Sequence, residues 1–159
     1  MKRTLAALAL PAVLLFAGCS SSTSDAAETA SPAACPTAKP IENTDLAAAV
    51  APVSLPNGAT IVGGRVTTMD GGVGVAVDVC APSVTTADQL RPLATNLVKA
   101  VKVSPLGPTT EAMWVQSYQV EGGQAVNDVK VKDCDFKMHL WNGLPSVEAE
   151  QARWEVISG

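Results

Sequence analysis

One histidine, at position 139, is all the imidazole this chain of 159 residues possesses, and aromatic residues make up only 4% of it. That scarcity removes the base of most nucleophilic triads unless His139 itself serves. A regular strand over Cys134–Leu140 would place His139 on the face opposite Cys134, the wrong geometry for a thiolate–imidazole pair. No Gly-x-Ser-x-Gly nucleophile elbow occurs. His139 therefore reads as an isolated polar strand residue facing solvent or the second face of a sheet. C-x-x-C and H-E-x-x-H are absent, and one histidine with scattered cysteines falls short of a tetrahedral zinc set. Asp128, Asp133 and Asp135 lie close in sequence, but calcium takes about six to eight oxygens in loops that carry a glycine and a late glutamate. They read as a solvated acidic edge, which also discourages strand-to-strand aggregation. No metal or cofactor is expected, and no catalytic residue is assigned. The sparse aromatics argue against a broad carbohydrate platform; Trp141, in Trp141-Asn142-Gly143-Leu144-Pro145, reads as closing the edge of a small core.

Positive charge is also scarce. Eleven lysines and arginines face fifteen aspartates and glutamates. An acidic surface repels phosphate backbones, so nucleic acid is excluded as a partner. It also lacks a basic patch that would hold it to anionic lipid. No apolar run approaches the roughly twenty residues of a membrane-spanning helix.

What is present begins at the N-terminus. Lys2 and Arg3 precede an apolar run from Leu5 to Phe16, and Phe16-Ala17-Gly18-Cys19 closes it with small residues before a cysteine. Charge, apolar stretch and small residues, in that order, make a signal peptide. The last four residues resemble the lipobox of bacterial lipoproteins, with phenylalanine where leucine is commoner. The resemblance implies a diacylglycerol thioether on the Cys19 sulfur, fatty acid such as palmitate, and cleavage between Gly18 and Cys19. The Ala-rich, Lys-poor composition is similar to that of actinobacterial lipoproteins. It implies the outer face of the cell membrane, and no activity.

Residues 1–18 then form the signal peptide, and residues 19–40 follow as a Ser/Thr/Ala/Pro-rich tether. The tether has almost no large apolar side chain with which to offset the entropy of ordering, and is expected to be disordered. Twenty-odd such residues span roughly 25 Å. Two acyl chains suffice for stable anchoring. Without residues 1–18, nine cationic side chains oppose fifteen acids, a side-chain net of −6. Residues 41–159 suit a single small domain.

With Cys19 spent on lipid, Cys35, Cys80 and Cys134 remain, so at most one intrachain disulfide can form. In Val73–Cys80 the odd-numbered valines share one face and Cys80 lies on the other, outward. In Cys134–Leu140, Cys134 shares the apolar face with Phe136, Met138 and Leu140, inward. A cysteine at the end of a tether reaches an outward partner, which favours Cys35–Cys80, with Cys80–Cys134 as the alternative. Such a bridge would add about 3–4 kcal/mol.

Within 41–159, Ile41–Ala51 reads as holding a short helix around Leu46-Ala47-Ala48-Ala49-Val50, stopped by Pro52. Thr60–Thr68 and Val73–Cys80 read as a hairpin about Asp70-Gly71-Gly72, since Asp-Gly tolerates the positive φ of a tight turn. Gly71-Gly72-Val73-Gly74 is followed by a strand, not a helix, so it is no phosphate loop. Thr86 caps a helix with Gln89 in capping-box position, and Leu90, Leu93, Leu97 and Val101 form its apolar stripe. Pro92 should kink that helix or begin it. Ala112–Val120 and Ala125–Lys132 read as strands about Glu121-Gly122-Gly123. The alternation slips at Asp133 and resumes over Cys134–Leu140. Ser146–Trp154 reads as a short helix, or Arg153–Ser158 as a closing strand. The pattern is α+β: a small antiparallel sheet with one main helix packed on one face.

The expected function is a lipid-anchored, non-catalytic binding or interaction module whose partner is an envelope protein or a small apolar ligand. The alternative is a small cell-wall or lipid-modifying enzyme with a carboxylate site, which requires an acid-lined cleft.

Overall fold

The computed structural model describes residues 33–56 and 58–159. The element order is α1 (Thr44–Val50), β1 (Thr60–Met69), β2 (Gly72–Cys80), α2 (Ala87–Lys102), a short 3-10 turn (Gly107–Thr109), β3 (Thr110–Glu121), β4 (Gln124–Asp133), α3 (Val147–Gln151) and β5 (Glu155–Ser158). Five strands form one sheet in sequence order, β1-β2-β3-β4-β5. The fold is α+β, with α2 as the main helix on the sheet.

Both hairpins follow from their turn residues. Asp70 and Gly71 alone separate β1 from β2, and Gly71 takes φ +84°. Gly122 and Gly123 separate β3 from β4, with φ +56° and +79°, the pair of positive angles that a two-residue hairpin loop demands. Helix α2 starts where the capping box places it: the Thr86 side chain accepts from Gln89 N, and the Gln89 side chain accepts from Thr86 N. Pro92 sits inside α2 without ending it. The apolar stripe of α2 is buried throughout, with Ala94 and Val98 added, against Val75, Val77, Val79, Met113, Val115, Val129 and Val131. The proposals for the C-terminus both hold in part, as α3 is followed by β5.

Two details depart from expectation. The sheet is mixed rather than wholly antiparallel, because β2 and β3 run parallel. A strand–helix–strand crossover returns the chain to its starting end, which makes parallel neighbours. Further, Cys134–Leu140 is not a strand. The chain leaves the sheet after Asp133 and folds into turns, with Met138 N and His139 N both donating to Asp135 O. Phe136 is buried, while Met138 and Leu140 are exposed.

Residues 33–40 lie against the sheet. Ala34 and Val120 exchange backbone hydrogen bonds of 2.9 and 2.8 Å, and Lys39 N donates to Val62 O at 2.8 Å. Val62 is free to accept because the β1–β2 register shifts between Ile61 and Gly63. This strap occupies the edge of β3 beyond the end of β2. Cys35 of the strap is joined to Cys80, with Cα atoms 5.4 Å apart.

Candidate functional site

The tail of the sheet carries the densest polar chemistry among the described residues. Asp133, the last residue of β4, has no exposed surface. Its Oδ2 accepts from Trp141 Nε1 at 2.8 Å, and its Oδ1 accepts from Asp135 N at 3.1 Å. His139 Nδ1 lies 2.8 Å from the same Oδ1, although without the alignment of a formed hydrogen bond. The His139 ring meets Trp141 edge-on, 5.8 Å between centroids. Trp141 in turn packs on Trp154 at 5.4 Å, and Trp154 Nε1 donates to Thr95 Oγ1 at 3.1 Å. A buried carboxylate thus pins the loop that follows it onto α2 and β4. Trp141 holds φ +47° at that anchor.

Helix α2 grips the same loop with two lysines of its last turn. Lys102 Nζ donates to Phe136 O at 2.7 Å and lies 4.7 Å from the Phe136 ring centroid. Burial pushes the Lys102 ammonium below its ordinary pKa, and the Asp133 charge opposes that shift. Lys99 Nζ pairs with Glu150, which is 3% exposed. The other oxygen of Glu150 accepts from Gly143 N at 2.9 Å. Two buried acids and two lysines therefore fasten the segment 134–150 from both ends.

That segment encloses a cavity of about 200 Å³. Met138, Leu140, Trp141, Pro145 and Ala149 make its apolar walls, and His139, Glu150 and Arg153 supply the polar groups. Such a mixture suits a small, mostly apolar molecule with one polar end. A larger hollow of about 650 Å³ lies between the strap and β1, near Arg65, Asp78 and Tyr118. It is open and water-facing: Arg65 is 60% exposed in its 3.8 Å ion pair with Asp78.

Several expectations about these residues are corrected. His139 is not an isolated strand residue, since it touches a buried carboxylate and a buried indole. Asp128, Asp133 and Asp135 do not share a solvated edge. Asp128 accepts from Ser158 Oγ at 3.1 Å on the surface and Asp135 is exposed, but Asp133 is fully buried. Among the described residues no three His, Cys, Asp or Glu side chains converge as metal ligands. The burial of the cysteines is reversed. Cys80 is fully buried where the strap joins it, and Cys134 is free and exposed because the chain has already turned out of the sheet. Burial raises the Cys134 thiol pKa, and the hydrogen bond to Glu155 adds to the rise. Cys19 lies outside the described residues. Among the described residues no helix is long and apolar enough to cross a membrane.

Glu150 escaped the sequence reading, Lys99 and Lys102 were legible only as cations that suit the last turn of α2, and the burial of Asp133 was missed. For Asp133 a signal existed. Val129, Val131 and Asp133 keep one alternation phase, so the strand continues to an inward carboxylate rather than slipping. No known family, curated protein or solved structure matches the chain.

Proposed function

We propose that this protein is a lipid-anchored envelope protein of the outer face of the cell membrane, held through Cys19, whose folded part is a non-catalytic binding module for a small apolar ligand. The observation that carries the binding reading is the 200 Å³ cavity, with mostly apolar walls and the polar groups of His139, Glu150 and Arg153. The acids of this region are already compensated: Lys99 neutralises Glu150 in the cavity wall, and neighbouring Asp133 is committed to Trp141 and Asp135. A site with its acids spoken for favours holding a ligand over moving protons. The anchoring half rests on the signal peptide and the lipobox-like Phe16-Ala17-Gly18-Cys19.

The Asp133–His139 contact of 2.8 Å favours a second reading, a small lipid- or cell-wall-modifying enzyme with His139 as general base. The two readings separate on one variant. In a titration of the mature protein with n-hexanol and hexanoate, followed by the near-ultraviolet signal of the Trp141–Trp154 pair, the binding reading expects saturation. Filling the cavity with Ala149→Leu abolishes it, and His139→Gln leaves it within about twofold, a shift worth less than 0.5 kcal/mol. Absence of saturable binding by either probe refutes it. Labelled palmitate incorporated into the wild type but not into Cys19→Ser tests the anchor.

A further inference from the structure

We infer that the exposed apolar rim around this cavity rests on the surface of the lipid bilayer. The inference takes its geometry from the lipid-anchor reading above. Eight large apolar side chains are exposed among the described residues, and five of them gather at this end of the fold: Val103 (86%), Leu144 (82%), Met138 (80%), Leu140 (58%) and Val147 (58%). Concentration of this kind marks an interaction surface, whereas scattered exposed residues do not. The five form one tract. Val103 shares a shallow groove with Trp141 and Gly143, and Met138 and Leu140 share the cavity with Trp141 and Pro145. Leu144 joins Gly143 of the groove to Pro145 of the cavity along the chain, and Val147 opens α3 two residues further on.

The charges at this end nearly cancel. Lys99 pairs with Glu150 and Lys137 with Glu111, and the exposed acids Asp135 and Glu148 are set against Lys102 and Arg153, so neither sign dominates and attachment would be apolar rather than electrostatic. That suits a domain whose mature net charge of −6 would be repelled by anionic headgroups.

The chain outside the described fold supplies the occupant. Ala34 is fixed opposite Val120, seven residues along β3 from Met113, which pairs with Asp133 at the root of the rim. The strap thus leaves the fold about 23 Å from the rim end of the sheet, at roughly 3.3 Å per residue. Fifteen Cα–Cα steps separate Cys19 from Ala34. Such a length reaches at most about 50 Å, and as a coil it spans roughly 20 Å. An anchor in the bilayer can therefore hold the strap end one sheet-length above the surface while the rim lies on it. Because the rim side chains Met138 and Leu140 also wall the cavity, an apolar molecule could then pass from bilayer to cavity without crossing water.

The test uses the full mature protein as its own cell processes it, with phosphatidylcholine vesicles and amide exchange as the readout. In vesicles, exchange over 136–147 should slow by about tenfold relative to detergent-free protein without lipid, while β2 and β3 keep their rates. Met138→Ser/Leu144→Ser should lose that slowing and keep the β2 and β3 protection, since both side chains are solvent-exposed. The effect of the vesicles should persist in high salt. A protein that floats with the vesicles yet shows unchanged exchange over 136–147 overturns the docking and leaves the anchor intact. A protein that fails to float overturns the anchor. In that case the same exchange at millimolar vesicle lipid still decides the docking, with slowing supporting it and no slowing refuting it. Slowing that appears only when a second envelope protein is added identifies a protein partner and also refutes it.

Discussion

Replacing Asp133 with alanine should release the whole 134–147 loop, at a cost that the geometry fixes. The carboxylate is fully buried and accepts from Trp141 Nε1 and Asp135 N. After the substitution the indole N–H stays buried with no acceptor, which costs about 1–3 kcal/mol, and a charge-assisted hydrogen bond is lost. The Asp135 amide belongs to an exposed residue and can turn to water. Removing a buried anion returns part of its desolvation cost. The net expectation is a loss of about 2–4 kcal/mol of unfolding free energy. Asp133→Asn keeps an acceptor and should lose about 1 kcal/mol. The assay is urea unfolding followed by far-ultraviolet circular dichroism, which does not depend on Trp141. Combining Asp133→Ala with Trp141→Phe closes a double-mutant cycle whose coupling should be about 1–2 kcal/mol. If Asp133→Ala stays within about 0.5 kcal/mol of wild type, ordinary for a surface position, then the carboxylate does not pin the loop and the argument fails.

The remaining expectations concern the strap, the helix and the free thiol. Cys35→Ala/Cys80→Ala opens a loop with a sequence separation of 45 residues, which the chain-entropy relation values at about 4 kcal/mol. Thermal melting should fall by roughly 10–20 °C, and an unchanged midpoint would contradict the staple. Pro92→Ala gives α2 back the N–H that Asp88 O lacks and removes a ring clash. It should raise stability by about 1–2 kcal/mol after the entropy gained by the unfolded chain is allowed for; a lower urea midpoint would refute this. Because burial first and the Glu155 hydrogen bond second raise the Cys134 pKa, the thiolate fraction at mildly alkaline pH is smaller than that of an ordinary thiol. Its alkylation rate should climb through a midpoint above that of an unstructured cysteine peptide, and Glu155→Gln, which removes the carboxylate charge, should move the midpoint down. A wild-type midpoint at or below that of the peptide would refute the raised pKa, and an unmoved midpoint in the variant would refute the part given to Glu155.

Periodicity and turn chemistry carried the sequence reading wherever they were local. Asp70-Gly71 and Gly122-Gly123 each permit little but a tight turn, so both hairpins were legible. The capping box of Thr86 and Gln89 located the start of α2 to the residue. The parallel pairing of β2 and β3 was legible in principle, because a helix of sixteen residues between two strands makes a crossover. Strand phase chose Cys35 for Cys80 correctly, yet burial came out reversed. Phase says which side of a sheet a residue faces, and the strap that covers Cys80 on that side is a long-range feature.

The candidate site was the least legible part, and its obscurity has a physical origin. Several of its buried polar groups are met by a partner far along the chain: the Glu150 carboxylate by Lys99, the Phe136 carbonyl by Lys102, the Trp154 indole N–H by Thr95. A single acid or lysine in a polar stretch carries no mark of such a partner, so it reads as solvated. Asp133 differs. It occupies the inward phase set by Val129 and Val131, and an inward carboxylate is tolerable only where donors arrive to meet it. In this chain the donors come from the eight residues that follow. The strand's last inward residue therefore anchors the loop beyond it, which holds apolar side chains in water above a cavity. A fold that fastens such a loop so firmly keeps its rim exposed at the expense of burying it in the core, and a concentration of exposed apolar side chains of this kind marks an interaction surface.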